Sequence, residues 1–245
     1  MRLVLATALL IPAAVNLAGQ RRQPVVPIGV IDDRPGDQRT GATELTKLRF
    51  TVVGRRDPAE VPYGIRVEML TAPGLDPNRT PPKVADGIGL VTVRSDSTAA
   101  QVRQDAWILI GRGYRGVLFD SWTTLRQNED VLAAAAAFAD VVTRNSALFA
   151  PLRQSSRAVG IDAQTSDIFA RFVESDEAML LVAANLTDSV QRVTLKFASD
   201  TPEAIWQNME LGGAVNFVAG PEGPIYSRTF TPHDVVVLMI RKQYK

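Results

Sequence analysis

The chain has 245 residues, of which 46% are apolar and 22% charged, so it belongs to neither the disordered nor the fibrous class. Lys and Arg number 27 against 26 for Asp and Glu, and this balance argues against a basic surface that binds nucleic acid. The sequence contains no cysteine, which excludes disulfides, thiolate nucleophiles and zinc–thiolate sites, and its single histidine, His233, excludes a multi-histidine metal site. Composition therefore predicts neither a metal nor a cofactor.

Residues 1–19 have the layout of a secretory signal peptide. Arg2 precedes an apolar stretch that Pro12 interrupts, and small residues follow. The apolar run is too short to predict a membrane span. We therefore expect an exported protein, secreted or periplasmic, without membrane contact after the signal is cleaved. The other interpretation of this segment is a buried first strand or helix.

The middle of the chain alternates predicted strands and helices. Ser97 and Asn128 are expected to cap two of the helices, and the second of these runs to about Leu152. Strands that alternate with helices indicate a parallel sheet with helices packed outside it. The predicted strands are Val25–Asp32, Phe50–Val53, Tyr63–Leu70, Ile88–Val93 and Gly116–Phe119, and a short helix is predicted over Thr43–Arg49.

After Ser156 the pattern changes to short strands about ten residues apart, joined by glycine- and proline-containing turns. This spacing is typical of an antiparallel sandwich. We therefore divide the mature chain into an α/β domain at residues 20–156 and a β-sandwich domain at residues 157–245. The predicted strands are Ile168–Val173, Ala178–Asn185, Val190–Phe197, Ala204–Gln207, Val215–Val218, Ile225–Phe230 and Asp234–Ile240.

The segment from Ala106 to Leu152 resembles the last βα unit of a glycoside hydrolase barrel. A helix ends in the glycine-containing turn Gly111–Gly116, the strand after it leads to Trp122, and the final helix leads to Phe149–Leu152. The stretches Leu180–Thr187 and Phe230–Val235 are similar to the β-sandwich that follows such barrels, and Val25–Asp32 is similar to an opening barrel strand. The resemblance implies an α/β fold with a (β/α) barrel-like domain followed by an all-β antiparallel sandwich.

The length of the α/β domain limits how much of a barrel it can form. Residues 20–156 hold about five barrel-type strands, whereas a complete eightfold barrel needs about 200–250 residues. We therefore expect a reduced or incomplete barrel, whose centre is deleted or supplied by a partner.

The resemblance also implies two catalytic carboxylates at the C-terminal ends of barrel strands, where glycoside hydrolysis uses one as an acid and the other as a nucleophile or base. We predict Asp120 and Glu68 as this pair. Substrate-binding roles are predicted for Trp122, which would stack on a sugar ring, and for Asp32, Asp33 and Asp96. Four of the carboxylates have ordinary alternatives: a turn cap for Asp120, a loop position for Asp32 and Asp33, and a solvated strand residue for Glu68.

We expect structural roles, and not functional ones, for the turn Gly111–Gly116 and for His233. The turn Gly111–Gly116 matches the GxGxxG spacing, but it follows a helix and precedes a strand, the reverse of a dinucleotide-binding loop. His233 lies far along the chain from any Ser–Asp pair that would form a triad with it, so a turn or surface position is expected.

Three hypotheses for function follow. The first is an exported glycoside-hydrolase-like protein that acts on or binds carbohydrate, through carboxylate acid/base chemistry if it is active and without a cofactor. The second is a non-catalytic carbohydrate-binding or structural relative that lacks a complete catalytic pair. The third is an α/β domain with an accessory sandwich and no link to sugars. Carbohydrate is the expected partner, nucleic acid is not, and the sequence leaves a homo-oligomer open.

Overall fold

The computed structural model describes residues 25–33, 42–54, 67–69, 87–202 and 205–242. The predicted signal peptide, residues 1–19, lies outside these residues. The chain divides into two compact units, and residues 103–113 group with residues 151 onward in the second unit. The first unit holds the other described residues up to 150. The second unit thus includes a short segment that lies within the sequence-based α/β domain.

Five parallel strands form the sheet of the first unit, in the order β2-β1-β5-β4-β3. The first strand pairs with the last, so that Ile28 lies beside Val117, and it also pairs with β2. The predicted parallel sheet is therefore present. The strands are β1 Ile28–Ile31, β2 Val52–Gly54, β3 Val67–Met69, β4 Ile88–Val91 and β5 Gly116–Phe119, and the helices are α1 Ala42–Lys47, α2 Ala99–Gly111, α3 Trp122–Gln127, α4 Glu129–Arg144 and α5 Ser146–Phe149.

Apolar side chains cover both faces of this sheet. One face carries a compact cluster drawn from four strands, formed by Ile31, Val52, Ile88, Leu90 and Leu118. On the other face Phe119 meets Phe138 of α4 edge to face, with ring centroids 6.4 Å apart. Every residue of β1, β4 and β5 is buried, which confirms the continuous apolar runs as strands covered on both sides.

Helix capping agrees with the sequence at one predicted site and differs at the other. The Asn128 side chain accepts hydrogen bonds from the Asp130 and Val131 amides, which confirms it as the N-cap of α4. At α2 the cap is Thr98, whose hydroxyl accepts from the Gln101 amide while the Gln101 side chain accepts from the Thr98 amide. The Ser97 prediction is wrong, because its hydroxyl accepts from the Arg94 amide instead.

The long helix predicted from Asn128 to about Leu152 is interrupted. It ends at Arg144, and the separate short helix α5 begins at Ser146. Between them the Asn145 side chain donates to the Val141 carbonyl oxygen at 2.8 Å, a bond that competes with continued helix. The preceding helix α3 was not predicted, because its six residues are too few to show an apolar period.

The second unit contains two antiparallel sheets, with strand orders β12-β11-β15-β9-β8-β6 and β13-β14-β10-β7. The sequence missed β6 and β7. It also merged β12 with β13, which lie in different sheets because the chain passes from one sheet to the other at residues 216–217. The strands are β6 Arg153–Gln154, β7 Val159–Ala163, β8 Ile168–Glu174, β9 Ala178–Asn185, β10 Gln191–Phe197, β11 Trp206–Asn208, β12 Ala214–Val215, β13 Val218–Ala219, β14 Pro224–Phe230 and β15 Val235–Arg241.

Side chains from both antiparallel sheets share one hydrophobic core. It includes Phe172 and Trp206 of the six-stranded sheet and Phe197 and Phe230 of the four-stranded sheet. The rings of Phe172 and Phe197 lie 5.4 Å apart and join the two sheets. On its other face, the six-stranded sheet meets α2 so closely that a methyl group added at Gly111 would lie 2.9 Å from the Phe169 ring.

Replacing Gly29 with alanine is expected to destabilise the first unit by about 3 kcal/mol. A methyl group at this position would overlap the carbonyl oxygen of Val52, so β1 and β2 would have to separate. Urea unfolding followed by circular dichroism measures the loss. Gly160→Ala in β7 is the matched control, because its added methyl would lie 3.3 Å from the Lys196 side chain. Equal unfolding midpoints for the two variants would contradict the expected strand separation.

Within the described part of the chain, no helix has both the length and the apolar character needed to cross a membrane.

Candidate functional site

The candidate site is the carboxyl edge of the parallel sheet, defined here as the residues that follow the C-terminal ends of β1, β4 and β5. Parallel α/β sheets carry their ligands at this edge. Asp32 and Asp33 follow β1 and Asp120 follows β5, and these two strands are neighbours. Three of the sequence-predicted site residues therefore lie on adjacent strand ends.

Asp33 is bound to the chain that follows β5. The Ser121 hydroxyl donates to Asp33 Oδ2 at 2.7 Å. The amide and the hydroxyl of Thr123 both donate to Asp33 Oδ1, at 3.0 and 2.8 Å. Burial acts to raise the pKa of Asp33, but these three hydrogen bonds outweigh it and hold the pKa below its ordinary value. Asp33 is therefore suited to act as an ionised carboxylate and not as a proton donor.

Asp120 connects β5 to the chain beyond β4. Its carboxylate Oδ1 accepts from the Val93 amide at 2.7 Å, and its own amide donates to the Val91 carbonyl oxygen at 3.0 Å. Asp33 and Asp120 thus link three neighbouring strand ends through hydrogen bonds. Asp120 occupies the expected position after the last barrel-like strand, and its carboxylate is half-buried.

The other predicted carboxylates have different surroundings. Asp32 is 5% exposed, and Asp96 lies in an exposed turn after β4. Glu68 is the central residue of β3, where its backbone lies beside Gly89 of β4, and Gly89 lies beside Val117 of β5. Asp120 is three residues beyond Val117. The Glu68 side chain lies outside the described residues, so its pairing with Asp120 remains a prediction.

Trp122 is fully buried and packs in the core of the first unit. Its indole meets the Phe50 ring edge to face at 6.4 Å, and the Arg126 guanidinium lies 5.6 Å from its ring centre. The indole N–H has no acceptor among the described residues. Stacking on a sugar would require one face of this ring to become exposed, so the substrate-binding role of Trp122 remains a prediction.

Two site residues, Ser121 and Thr123, were missed from the sequence. Ser121 is the N-cap of α3, and its hydroxyl accepts from the Thr124 amide at 3.0 Å. The serine three residues before Thr124 is a helix-start signal that could have identified this turn. The contact between Asp33 and Thr123 had no such signal, because the two residues are 90 positions apart.

Replacing Asp33 with alanine is expected to lower the free energy of unfolding of the first unit by about 1 kcal/mol at pH 7, the typical net contribution of one hydrogen bond, because Asp33 is exposed and water replaces part of what its three bonds contribute. Because the pKa of Asp33 is lowered in the folded state, its contribution is present above the ordinary aspartate pKa and is lost as the pH falls through the lowered value. Denaturant titrations at pH 7 and pH 3 should show a smaller difference from the unmodified protein at pH 3. Asp96→Ala, at an exposed position near the same edge, should show no difference.

A separate polar cluster lies in the second unit. Arg103 donates to both carboxylate oxygens of Glu210, at 2.7 and 2.6 Å, and also donates to the Val235 carbonyl oxygen at 3.0 Å. The Trp107 indole N–H donates to Glu210 Oε1 at 2.8 Å. Hydrogen bonding to Glu210 raises the pKa of Arg103. The cluster fixes α2 against the β11–β12 hairpin, and we assign it a structural role.

Among the described side chains, no group of three or more His, Asp or Glu residues is arranged to hold a metal ion. The carboxyl edge offers hydrogen-bond acceptors at Asp33 and Asp120 and a hydroxyl at Thr123, whereas Asp32 is buried. Such a set can bind hydroxyl groups of a polar ligand, because ionised carboxylates only accept hydrogen bonds.

Part of the chain is similar to solved glycoside hydrolase structures. A maltogenic α-amylase from Thermotoga neapolitana is 11% identical, with a TM-score of 0.45 over 64% of this chain and 42% of that one. A GH30 endoxylanase from Clostridium papyrosolvens is 10% identical, with a TM-score of 0.44 over 73% of this chain and 49% of that one. A GH27 β-L-arabinopyranosidase from Geobacillus stearothermophilus is 12% identical, with a TM-score of 0.40 over 61% of this chain and 32% of that one.

This chain therefore spans less than half the length of each of these three structures. No protein-family model matches the sequence, and no curated protein matches it.

Proposed function

We propose that the protein is an exported, glycoside-hydrolase-like protein that binds carbohydrate at the carboxyl edge of an incomplete (β/α) barrel, followed by a β-sandwich. The observation that carries the proposal is the pairing of β1 with β5, which brings Asp33 and Asp120 to neighbouring strand ends. In a closed (β/α) barrel the first strand likewise lies beside both the second and the last. Export rests on the layout of residues 1–19.

The strand order also supports an incomplete barrel. In a closed five-stranded barrel each strand would lie beside the strands before and after it in the chain, and the last strand beside the first. The order β2-β1-β5-β4-β3 contains every such pair among the described strands except β2 with β3. The missing centre of a barrel would fall between these two strands. The sandwich is supported by the core that the two antiparallel sheets share.

Carbohydrate is the proposed ligand class because the sequence resembles glycoside hydrolases and the edge presents carboxylates. Sugar hydroxyls donate hydrogen bonds, and an ionised carboxylate such as Asp33 accepts them without a change in its own protonation. Asp96, in its exposed turn, would extend the same acceptor surface, and Asp32 would join it only if its buried carboxylate became exposed.

Hydrolysis is the second candidate, and it needs one protonated and one ionised carboxyl group on opposite sides of the glycosidic bond. Asp120 and Glu68 are the proposed pair, and the low pKa of Asp33 would suit a base better than an acid. Binding is preferred over hydrolysis because the lowered pKa of Asp33 favours an ionised acceptor for sugar hydroxyls and disfavours a proton donor.

The test combines retention on polysaccharide gels with release of reducing ends from polysaccharides and aryl glycosides. Retention without hydrolysis, weakened in Asp120→Asn, is the expected result. Hydrolysis that is lost in both Asp120→Asn and Glu68→Gln would establish the second candidate instead. Asp162→Asn, at an exposed position in β7, is the control and should behave as the unmodified protein. A protein that neither retains nor cleaves any glycan in the panel would overturn the proposal.

A further inference from the structure

His233, the single histidine of the chain, lies in the turn before β15 and connects three segments of the second unit. Its backbone φ is +54°, a conformation that costs energy for a residue other than glycine. Its amide donates to the Thr187 carbonyl oxygen at 3.3 Å. Its ring is 18% exposed and lies between α2 and the loop at residues 186–190, which joins β9 to β10.

Both ring nitrogens of His233 face oxygen atoms. Nε2 lies 2.7 Å from Asp188 Oδ1, and Nδ1 lies 3.4 Å from Gln104 Oε1. The orientation of the Gln104 amide is fixed, because its nitrogen lies 2.6 Å from the Asn185 carbonyl oxygen, to which it must donate. The oxygen of Gln104, and not its NH2 group, therefore points at the ring.

A neutral imidazole carries one N–H and one lone pair, so it can donate to only one of these two acceptors. The doubly protonated ring donates to both at once. When the second proton leaves Nδ1, the lone pair of that nitrogen faces the Gln104 oxygen and the contact becomes repulsive. Both contacts of the ring can therefore be hydrogen bonds only when the two ring nitrogens each carry a proton.

Charged groups approach the ring from each surrounding segment. Asp188 approaches from the 186–190 loop and Asp105 from α2, while Asp234 on its own turn is bound to Arg228 and lies near Arg103. Burial raises the pKa of Asp105 to about 6, and attraction to His233 opposes this rise. Asp105 therefore changes charge within the range in which histidines do, and any test must separate the two groups.

We propose that His233 is a proton-operated latch that holds the 186–190 loop and the 231–234 turn against α2. The latch is closed when both ring nitrogens carry a proton, and it opens on the side of Gln104 when one proton is lost. The strand-end loops of the second unit thereby respond to pH, independently of any carbohydrate bound by the first unit.

Hydrogen exchange of the His233 amide, corrected for the intrinsic exchange rate, tests the latch on the full chain. Its protection factor is expected to fall about tenfold between pH 5.5 and pH 8, the loss of about one hydrogen bond. Ring proton resonances, which arise from one histidine only, report the protonation of the ring in the same samples.

Three variants make the test decisive. In His233→Asn, which tolerates the positive φ, protection at residue 233 should be low at both pH values. In Asp188→Ala, at a fully exposed position, Nε2 loses its acceptor, so the neutral ring can keep its proton on Nδ1 for Gln104 and the fall should shrink. In Asp105→Asn the tenfold fall should persist. Equal protection at pH 5.5 and pH 8 in the unmodified protein would overturn the latch. A fall in protection that persists in His233→Asn, or one that disappears in Asp105→Asn, would also overturn the latch.

Discussion

Replacing Glu210 with alanine is expected to lower the free energy of unfolding of the second unit by about 3 kcal/mol, near the lower limit for breaking a buried ion pair. The Glu210 side chain is 14% exposed and accepts three hydrogen bonds from Arg103 and Trp107. Its removal takes two of the acceptors from the Arg103 guanidinium, which keeps the Val235 carbonyl oxygen, and takes the Glu210 acceptor from the Trp107 indole N–H. Because Arg103 is itself 29% exposed, water will reach part of its charge and moderate the loss.

Denaturant unfolding at pH 7 measures this effect, and Glu177→Ala provides the control because Glu177 is exposed in the turn before β9. Glu210→Gln should fall between the two, since an amide oxygen can still accept from Trp107 or Arg103. A loss below about 1 kcal/mol for Glu210→Ala, the range of exposed ion pairs, would mean that the cluster contributes little.

Replacing Asp105 with asparagine is expected to raise the free energy of unfolding of the second unit by about 2 kcal/mol at pH 7. Burial raises the pKa of Asp105 to about 6, from an ordinary value of 3.8, so ionisation is penalised in the folded state. When the pKa of an acid is higher in the folded state than in the unfolded state, the protein loses stability as the pH rises from the unfolded-state pKa to the folded-state pKa. Asparagine removes this charge but leaves a polar amide that offsets part of the gain.

The pH dependence identifies the cause of this gain. The difference between Asp105→Asn and the unmodified protein should be small near pH 4, grow between pH 4 and pH 6, and remain constant above pH 7. Asp176→Asn, at an exposed turn position, should show no such rise. A gain that is the same at pH 4 and pH 7 would indicate a packing effect and contradict the electrostatic explanation.

Long apolar runs made most of the strands predictable from the sequence. The bounds of β5 and β9 agree with the structure residue for residue, because each is a continuous apolar run between turn residues. The two-residue strand β6 and the six-residue helix α3 were missed, because neither contains an apolar run or a repeat long enough to show a period. The start of α3 depends on a single side-chain bond, which the Thr124 amide donates to the Ser121 hydroxyl oxygen.

The aspartates of the candidate site could be named from the sequence, whereas Ser121, Thr123 and the hydrogen bonds between these residues could not. Aspartates after strand ends are visible in the sequence, and the carboxyl edge brings Asp33 and Asp120 to adjacent strands. Which side chain binds which depends on the pairing of β1 with β5, and no local pattern specifies a partner so distant in the chain. The burial of Trp122 was missed for a related reason: Phe50, which covers it, comes from another element.

The order of residues in the two units has a consequence for synthesis. β1 and β5 are separated by about 90 residues, which a ribosome adds in about 5–20 s. During this time β1 has been synthesised but cannot yet pair with β5. Residues 103–113 leave the ribosome before the rest of the second unit, to which they belong. Arg103 can form its ion pair only after Glu210 has been translated. We therefore expect a chaperone that shields apolar segments to bind the emerging polypeptide throughout this interval, and to be released only after the last strands have been translated.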